Sequence, residues 1–173
     1  VVAIAIVVYA PTLVLQTVQY DDHWLWSATS PLRTLDAGMA RDVFFEFDAK
    51  ARRPLGGEYL PVRDVAVALD MAIWGDNERG PHATQLLLFA LTVWIVSIRH
   101  RRPAFIWIVP AIVALWSNVH GSFFLGPLLL GLAYLEDRSE HPSLARRSLV
   151  VGLLSIAAAS LNPFGLAVWP YVL

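Results

Sequence analysis

The sequence contains no cysteine and only one lysine among its 173 residues. A chain without cysteine has no disulfide scaffold, no thiolate nucleophile and no cysteine-ligated zinc. Charged residues are also scarce, at 16% against about 25% in an average soluble domain. The formal net charge is -1 and the isoelectric point is about 6.6, which excludes a strongly basic nucleic-acid-binding domain.

The chain is rich in apolar residues. They make up 57% of the chain, against about 45–50% in soluble proteins, and the mean hydropathy is +0.55. This composition excludes a disordered chain and predicts an all-α, multi-pass bundle of transmembrane helices with a long external loop. Five apolar runs predict spans at about 1–18, 82–98, 103–118, 121–135 and 146–161. A sixth run starts near Leu166.

Several of these runs are shorter than the roughly 20 residues that a membrane crossing needs, so buried core helices of a soluble protein are the alternative. Tryptophan near the ends of the runs favours the membrane, because indole rings concentrate at the lipid–water interface. The chain begins at Val1 rather than methionine and stops in an apolar segment. We therefore expect residues 1–173 to be a single membrane domain, cut from a longer protein.

The distribution of arginine predicts the orientation. Residues 99–102 and 136–147 contain three arginines each, whereas the turns at 118–121 and 162–165 contain no lysine or arginine. The positive-inside rule places both arginine loops in the cytoplasm and both turns outside, together with the long loop 19–81. Arginine outnumbers lysine twelve to one, as is typical of GC-rich bacteria, so we expect an integral protein of a bacterial plasma membrane.

Two segments of the external loop predict local structure. Residues 64–74 have strong helix formers with Asp64 at the start and Gly75 at the end, and their apolar residues nearly surround the helix. We expect this helix to lie in the membrane interface or against the bundle. The aromatic run 43–47, VFFEF, is expected to be a short strand or a loop that dips into the membrane.

The strongest candidate for chemistry is the acidic pair Asp21 and Asp22, followed by His23, directly after the first predicted span. Carboxylates are costly to hold next to hydrocarbon. They are explained if they bind a divalent cation, Mg²⁺ or Mn²⁺, or if one is a general base for an incoming hydroxyl. Ordinary polar residues at a helix end are the alternative explanation.

Further candidate residues lie in turns and loops. Asn118 and His120 occupy a turn on the same predicted external face as the acidic pair, and Gly121 and Gly126 allow close helix packing. A polar hairpin tip explains these residues without a function. Other candidates are the arginines of residues 52–63, Arg63 among them, which suit a phosphate unless the loop is simply solvated. His82 opens the second span and is otherwise an interface residue.

These motifs together resemble the GT-C superfamily of polytopic glycosyltransferases. The acidic pair after the first span, the stretch YLPVRDVAVALDMAIWG at 59–75 and the following GPHATQLLL at 80–88 are similar to the protein O-mannosyltransferase-like branch. The motifs WSNVHG at 116–121 and LNPFG at 161–165 are similar to bacterial membrane proteins grouped with the same superfamily.

The resemblance implies a membrane-embedded enzyme that moves a sugar from a polyprenyl-phosphate-linked donor to an acceptor on the outer face of the membrane. Asp21 and Asp22 would be the catalytic or metal-binding carboxylates, with His120, Asn118, Arg63 and His82 as substrate-binding residues. The family has more spans than this chain supplies, so the segment alone is expected to be inactive. A non-enzymatic transporter or assembly subunit is the alternative, but the predicted spans contain no ionisable residue at mid-membrane depth.

Overall fold

The computed structural model describes residues 2–11, 25–77 and 79–172, and within these ranges the chain is helical and forms no strand. The expectation of an all-α protein is therefore confirmed for the described residues. Their α-helices are α1 (Val2–Tyr9), α2 (Ala37–Phe45), α3 (Pro61–Trp74), α4 (Arg79–Ser97), α5 (Val109–Ser117), α6 (Leu125–Asp137), α7 (Pro142–Ala159) and α8 (Val168–Val172). Short 3-10 helices lie at Pro31–Arg33, Arg53–Leu55, Phe105–Ile108, Gly121–Phe124 and Gly165–Ala167.

The chain divides into two compact units. One, called the loop unit here, comprises residues 10–84, and the other, called the bundle unit, comprises residues 1–9 and 85–173. Each unit has its own cluster of buried apolar side chains.

The loop unit packs α2 and the Pro31–Arg33 turn against α3. Its core is formed by aliphatic residues from all of these elements: Leu25, Leu32, Val43, Leu55, Ala68 and Met71. The side chain of Asp36 caps α2 by accepting a hydrogen bond from the Met39 N–H at 2.8 Å. Such a cap satisfies one of the N–H groups that a helix start leaves unpaired.

Two expectations for this segment are wrong in detail. The run 43–47 is not a strand, because its first three residues form the last turn of α2, with Val43 buried and Phe44 and Phe45 exposed. Helix α3 begins at Pro61 rather than Asp64, since proline fits the first helical position, where no N–H is needed. The end of α3 at Gly75 is confirmed, and φ is +62° there, which favours glycine.

The bundle unit packs α7 against both α5 and α6. Its hydrophobic core includes Trp116, Phe123, Leu130 and Val151. A Cβ placed on Gly126 would lie 2.5 Å from Cγ2 of Val113, so the missing side chain lets α6 approach α5 closely. Trp116 donates its indole N–H to Oε1 of Gln85 at 2.7 Å, which fixes α4 to α5.

The helices of the described residues overlap the predicted apolar segments, with shifted ends. Arg79–Ser97 and Pro142–Ala159 are long and apolar enough to cross a membrane, and Phe105–Ser117 is a shorter apolar helix. At 1.5 Å per residue the two long helices measure about 27 Å and about 29 Å, close to the roughly 30 Å of a bilayer core. Residues 121–137 are helical throughout, whereas residues 12–18 of the first predicted span lie outside the described residues.

The loops of the bundle unit gather at two opposite ends of α6. At one end, Arg99 binds Asp137 and thereby joins residues 99–102 to 136–147; we call these two segments the arginine end. At the other, the Asn118 side chain reaches the carbonyl of Leu161 at 3.1 Å, joining residues 118–121 to 161–165, the asparagine end. The sequence predicted that the two arginine loops lie on one side of the membrane and the two turns on the other.

Candidate functional site

The acidic pair lies outside the described residues, and so does His23. The roles expected for Asp21 and Asp22, as catalytic groups or as metal ligands, therefore stay predictions. Among the residues that the structure describes, no cluster of three or more histidine, aspartate or glutamate side chains has the arrangement to hold a metal ion.

Arg63 lies in the first turn of α3 and already has several partners. Its guanidinium contacts both an acidic neighbour, Asp64 at 3.0 Å, and Glu58 at 3.2 Å, and it also donates to the Leu55 carbonyl at 2.7 Å. Only 14% of its side chain is exposed. A phosphate at this position would have to share a cation that two carboxylates and a carbonyl already bind.

Arg52 is the central side chain of the loop unit and is 1% exposed. It donates to four backbone carbonyls, those of Glu58 at 2.7 Å, Asp42 at 2.8 Å, Glu46 at 3.1 Å and Val43 at 3.3 Å. Its remaining nitrogen pairs with the buried carboxylate of Asp64 at 2.7 Å. Because every one of these groups is inside the unit, Arg52 fixes the loop between α2 and α3 rather than offering a phosphate-binding fork.

Asp70 is a second buried carboxylate, on the same helix, that sequence reasoning did not single out. It is 7% exposed, and the hydroxyl of Thr84 on α4 donates to it at 2.6 Å. The described residues form no ion pair with it. Burial raises the pKa of Asp70 above its ordinary value, and the hydrogen bond from Thr84 opposes that rise. An aspartate inside the apolar stretch 67–73 was the signal in the sequence.

His82 lies in the first turn of α4, just after the turn that joins α3 to α4. Its Nε2 is buried and has no hydrogen-bond partner among the described residues. Trp74 lies so close to Gly80 of α4 that a Cβ on Gly80 would lie 2.5 Å from the indole. A buried imidazole nitrogen without a partner is unusual, because such groups are normally hydrogen-bonded.

Asn118 follows α5 and has a clear structural task. Its amide donates to the carbonyls of Ala114 at 2.8 Å and Leu161 at 3.1 Å. It therefore caps the end of α5 and binds the turn that begins at Leu161. Asn162 acts similarly, donating to Ala159 at 2.6 Å and accepting from the Phe164 N–H at 2.8 Å. Both asparagines therefore satisfy backbone groups that helix ends leave unpaired.

His120 caps the 3-10 helix before α6. Its Nδ1 accepts the backbone N–H of Ser122 at 3.0 Å and lies 2.8 Å from the hydroxyl of the same residue. The residue is exposed at the asparagine end.

The structure brings Asn118 and His120 to one end of the bundle unit, whereas Arg63 and His82 belong to the loop unit. No protein family, no curated protein and no solved structure matches this chain. Its function is therefore argued from the residues and their geometry.

Proposed function

We propose that the chain is part of a bacterial plasma-membrane protein and crosses the membrane several times. One support is charge segregation: between residues 85 and 173 every charged residue lies in 99–102 or 136–147, which form the arginine end. Another is the exposed surface, where large apolar side chains stand along three helices: Leu87 and Trp94 on α4, Leu128, Leu132 and Leu135 on α6, Leu149, Leu153 and Leu154 on α7. Hydrocarbon suits such a surface better than water does.

The proposed orientation follows from the same charges. Lysine and arginine in short loops favour the cytoplasmic side, so the arginine end faces the cytoplasm. The asparagine end, whose turns contain no charged residue, then faces outward. We place the loop between the first two spans, residues 19–81, on that outer side as well.

For activity, we propose transfer of a sugar from a polyprenyl-phosphate-linked donor to an acceptor hydroxyl at the outer face, as in the GT-C superfamily that the motifs resemble. The observation that carries this proposal is the pair Asp21 and Asp22 directly after the first apolar run. A carboxylate at the edge of the membrane meets both a lipid-linked donor and a water-soluble acceptor.

The proposed step is a single displacement at the anomeric carbon of the sugar. One carboxylate, Asp21 or Asp22, accepts the proton of the acceptor hydroxyl as its oxygen bonds to that carbon. The bond from the carbon to the phosphate oxygen breaks, and polyprenyl phosphate departs with the electron pair. Because one displacement occurs, the configuration at the anomeric carbon inverts.

A divalent cation fits the hard oxygen donors of Asp21 and Asp22, and when bound it would neutralise charge on the departing phosphate. We assign substrate hydroxyl contacts to His82, whose Nε2 has no hydrogen-bond partner among the described residues, and to His120. For Asn118 and Arg63 the proposed substrate role is the orientation of neighbouring groups, since both already hold protein partners.

The test is sugar transfer by the full-length protein in vesicles that contain a polyprenyl-phosphate hexose. The released polyprenyl phosphate is measured. Asp21→Asn and Asp22→Asn keep side-chain volume and remove charge. Loss of a general base lowers the rate by about 10²–10⁴-fold. The matched control is Asp42→Asn, which removes an exposed carboxylate of the same loop unit.

Transfer at the wild-type rate by the double variant Asp21→Asn/Asp22→Asn would refute the enzymatic role of this pair. The transporter or assembly subunit would then become the better explanation. Membrane insertion of both variants, measured by carbonate extraction, separates a chemical defect from a failure to fold.

A further inference from the structure

Five arginine side chains at the arginine end have no partner among the residues that the structure describes. Arg99 is neutralised, but within the described part of the chain no hydrogen bond, ion pair or ring contact engages the guanidinium groups of the others: Arg101, Arg102, Arg138, Arg146 and Arg147. Four of these are exposed and Arg147 is partly exposed. Arginine is suited to phosphate because its planar fork donates two parallel hydrogen bonds.

The fold gathers these arginines from two loops that are far apart in sequence. Arg99 holds Asp137 at 2.7 Å and Glu136 at 2.7 Å, which joins the end of α4 to the end of α6. The imidazole rings of His100 and His141 contact each other with centroids 4.9 Å apart, which brings the same loop to the start of α7.

Through these contacts Arg99 forms ion pairs with two of the three acidic residues at this end, Glu136 and Asp137. Of the acidic residues between 85 and 173, only Glu140 then remains without an ion pair in the described structure. The six arginines and three acidic residues of this end give it a formal net charge of +3 with its histidines neutral. The surface therefore complements a partner with a net negative charge.

The surface beside the arginines is apolar. Exposed aliphatic side chains continue along α6 and α7 from this end: Leu132, Leu135, Leu149, Val150 and Leu153. A partner that contacts both surfaces needs a negatively charged phosphate next to a hydrocarbon chain. A glycerophospholipid with an anionic headgroup has both.

We propose that the arginine end selects anionic phospholipids of the cytoplasmic leaflet over zwitterionic ones, with headgroup phosphates at the five arginines and acyl chains along α6 and α7. The inference rests on the membrane placement proposed above and does not depend on the sugar-transfer activity. Each basic residue near an anionic membrane surface favours binding, so the preference increases with the number of arginines present.

The experiment measures the apparent Kd of the purified full-length protein, in neutral detergent, for dioleoyl phosphatidylglycerol and for dioleoyl phosphatidylcholine. The variants are Arg101→Gln/Arg102→Gln and Arg146→Gln/Arg147→Gln. Each arginine removed is expected to lower the preference for phosphatidylglycerol about five-fold. The matched control, Arg41→Gln/Arg53→Gln, removes two exposed arginines of the loop unit and keeps the preference.

Salt and conservative substitution give independent readouts, which also serve if a glutamine variant fails to fold. The preference of the unmodified protein must weaken between about 0.05 M and 0.5 M salt, because screening shortens the range of surface charges. The Arg146→Lys/Arg147→Lys variant must keep most of it, since the charge is retained. A preference unaffected by salt overturns the proposal.

Two further results would overturn it for different reasons. If inorganic phosphate at millimolar concentration abolishes the preference, the arginines bind a free anion and not a lipid. If carbonate extracts the protein from membranes, the membrane placement fails and the lipid proposal with it. A protein that resists extraction but binds both lipids equally refutes the lipid proposal alone.

Discussion

Asp64 and Asp70 lie six residues apart on α3 and are both buried, but within the described part of the chain only Asp64 has cationic partners. The guanidinium groups of Arg52 and Arg63 both contact Asp64, at 2.7 Å and 3.0 Å. Asp70 receives one hydrogen bond, from the hydroxyl of Thr84 at 2.6 Å. Burial raises the pKa of both carboxyls, but substitution by asparagine removes an ion pair at Asp64 and a neutral hydrogen-bond acceptor at Asp70.

Asp64→Asn is expected to destabilise the protein by about 3–5 kcal/mol, because it leaves the buried guanidinium of Arg52 without a counter-charge. The measurement is the unfolding free energy of the purified protein in detergent. Asp42→Asn, at an exposed site, is the control and should stay within about ±0.5 kcal/mol. Equal stability of Asp64→Asn and Asp42→Asn would contradict the assignment of Arg52 and Asp64 as a buried pair.

Asp70→Asn is expected to change the pH dependence of stability. The folded pKa of Asp70 lies above its unfolded value because burial disfavours the charge. The protonated carboxyl therefore stabilises the fold below the unfolded pKa, near 3.8, and this stabilisation is lost as pH rises through the folded pKa. Unfolding temperatures across acidic pH should rise toward low pH more in the parent than in Asp70→Asn; identical profiles would refute the prediction.

The contribution of Asp137 to stability depends on pH with the opposite sign to that of Asp70. Hydrogen bonds from Arg99 hold the pKa of Asp137 below its ordinary value, so its contribution to stability is present above the unfolded pKa and lost as pH falls through the folded one. Arg99→Gln should lower stability by up to about 3–5 kcal/mol at neutral pH, because the buried Asp137 loses its guanidinium partner and keeps only the His100 imidazole, at 2.9 Å. The loss should shrink as the solution is acidified, and a loss that does not depend on pH would count against the ion pair.

Two glycines of α6 provide a matched pair for packing. In Gly126→Ala the new methyl group meets Val113 of α5, with an expected cost of about 1–3 kcal/mol. In Gly131→Ala the methyl group meets no atom within 4 Å, so the higher helix propensity of alanine should stabilise by about 0.5–1 kcal/mol. Thermal unfolding of both variants in one detergent tests the difference, which disappears if α5 and α6 do not pack closely.

The absence of cysteine allows a direct topology measurement. A cysteine at Ser139, in the arginine end, should react with a membrane-impermeant maleimide only after permeabilisation of the cells. A cysteine at Leu161, which is exposed in the asparagine end, should react in intact cells. The reverse pattern would invert the proposed orientation.

The helical class and several helix ends could be predicted because they depend on local signals. Gly75 ends α3 and Asn162 initiates a turn, since positive φ and side-chain capping are properties of single residues and their neighbours. The start of α3 and the helical state of 43–45 were missed. There, packing of Val43 into the core of the loop unit outweighed the strand propensity of its aromatic neighbours.

By itself, the sequence determined that the chain is helical, where its long apolar segments lie and how charge separates between the two ends, because composition and periodicity are set residue by residue. Only the tertiary structure decided which side chains are paired. Arg99 and Asp137 are 38 positions apart, so no local pattern identifies their contact. Arg52 donates to backbone carbonyls, which every residue has, so the residue types do not identify its partners either. Partners are chosen when helices pack and exclude water, since a buried charge must then find whichever acceptor lies within reach.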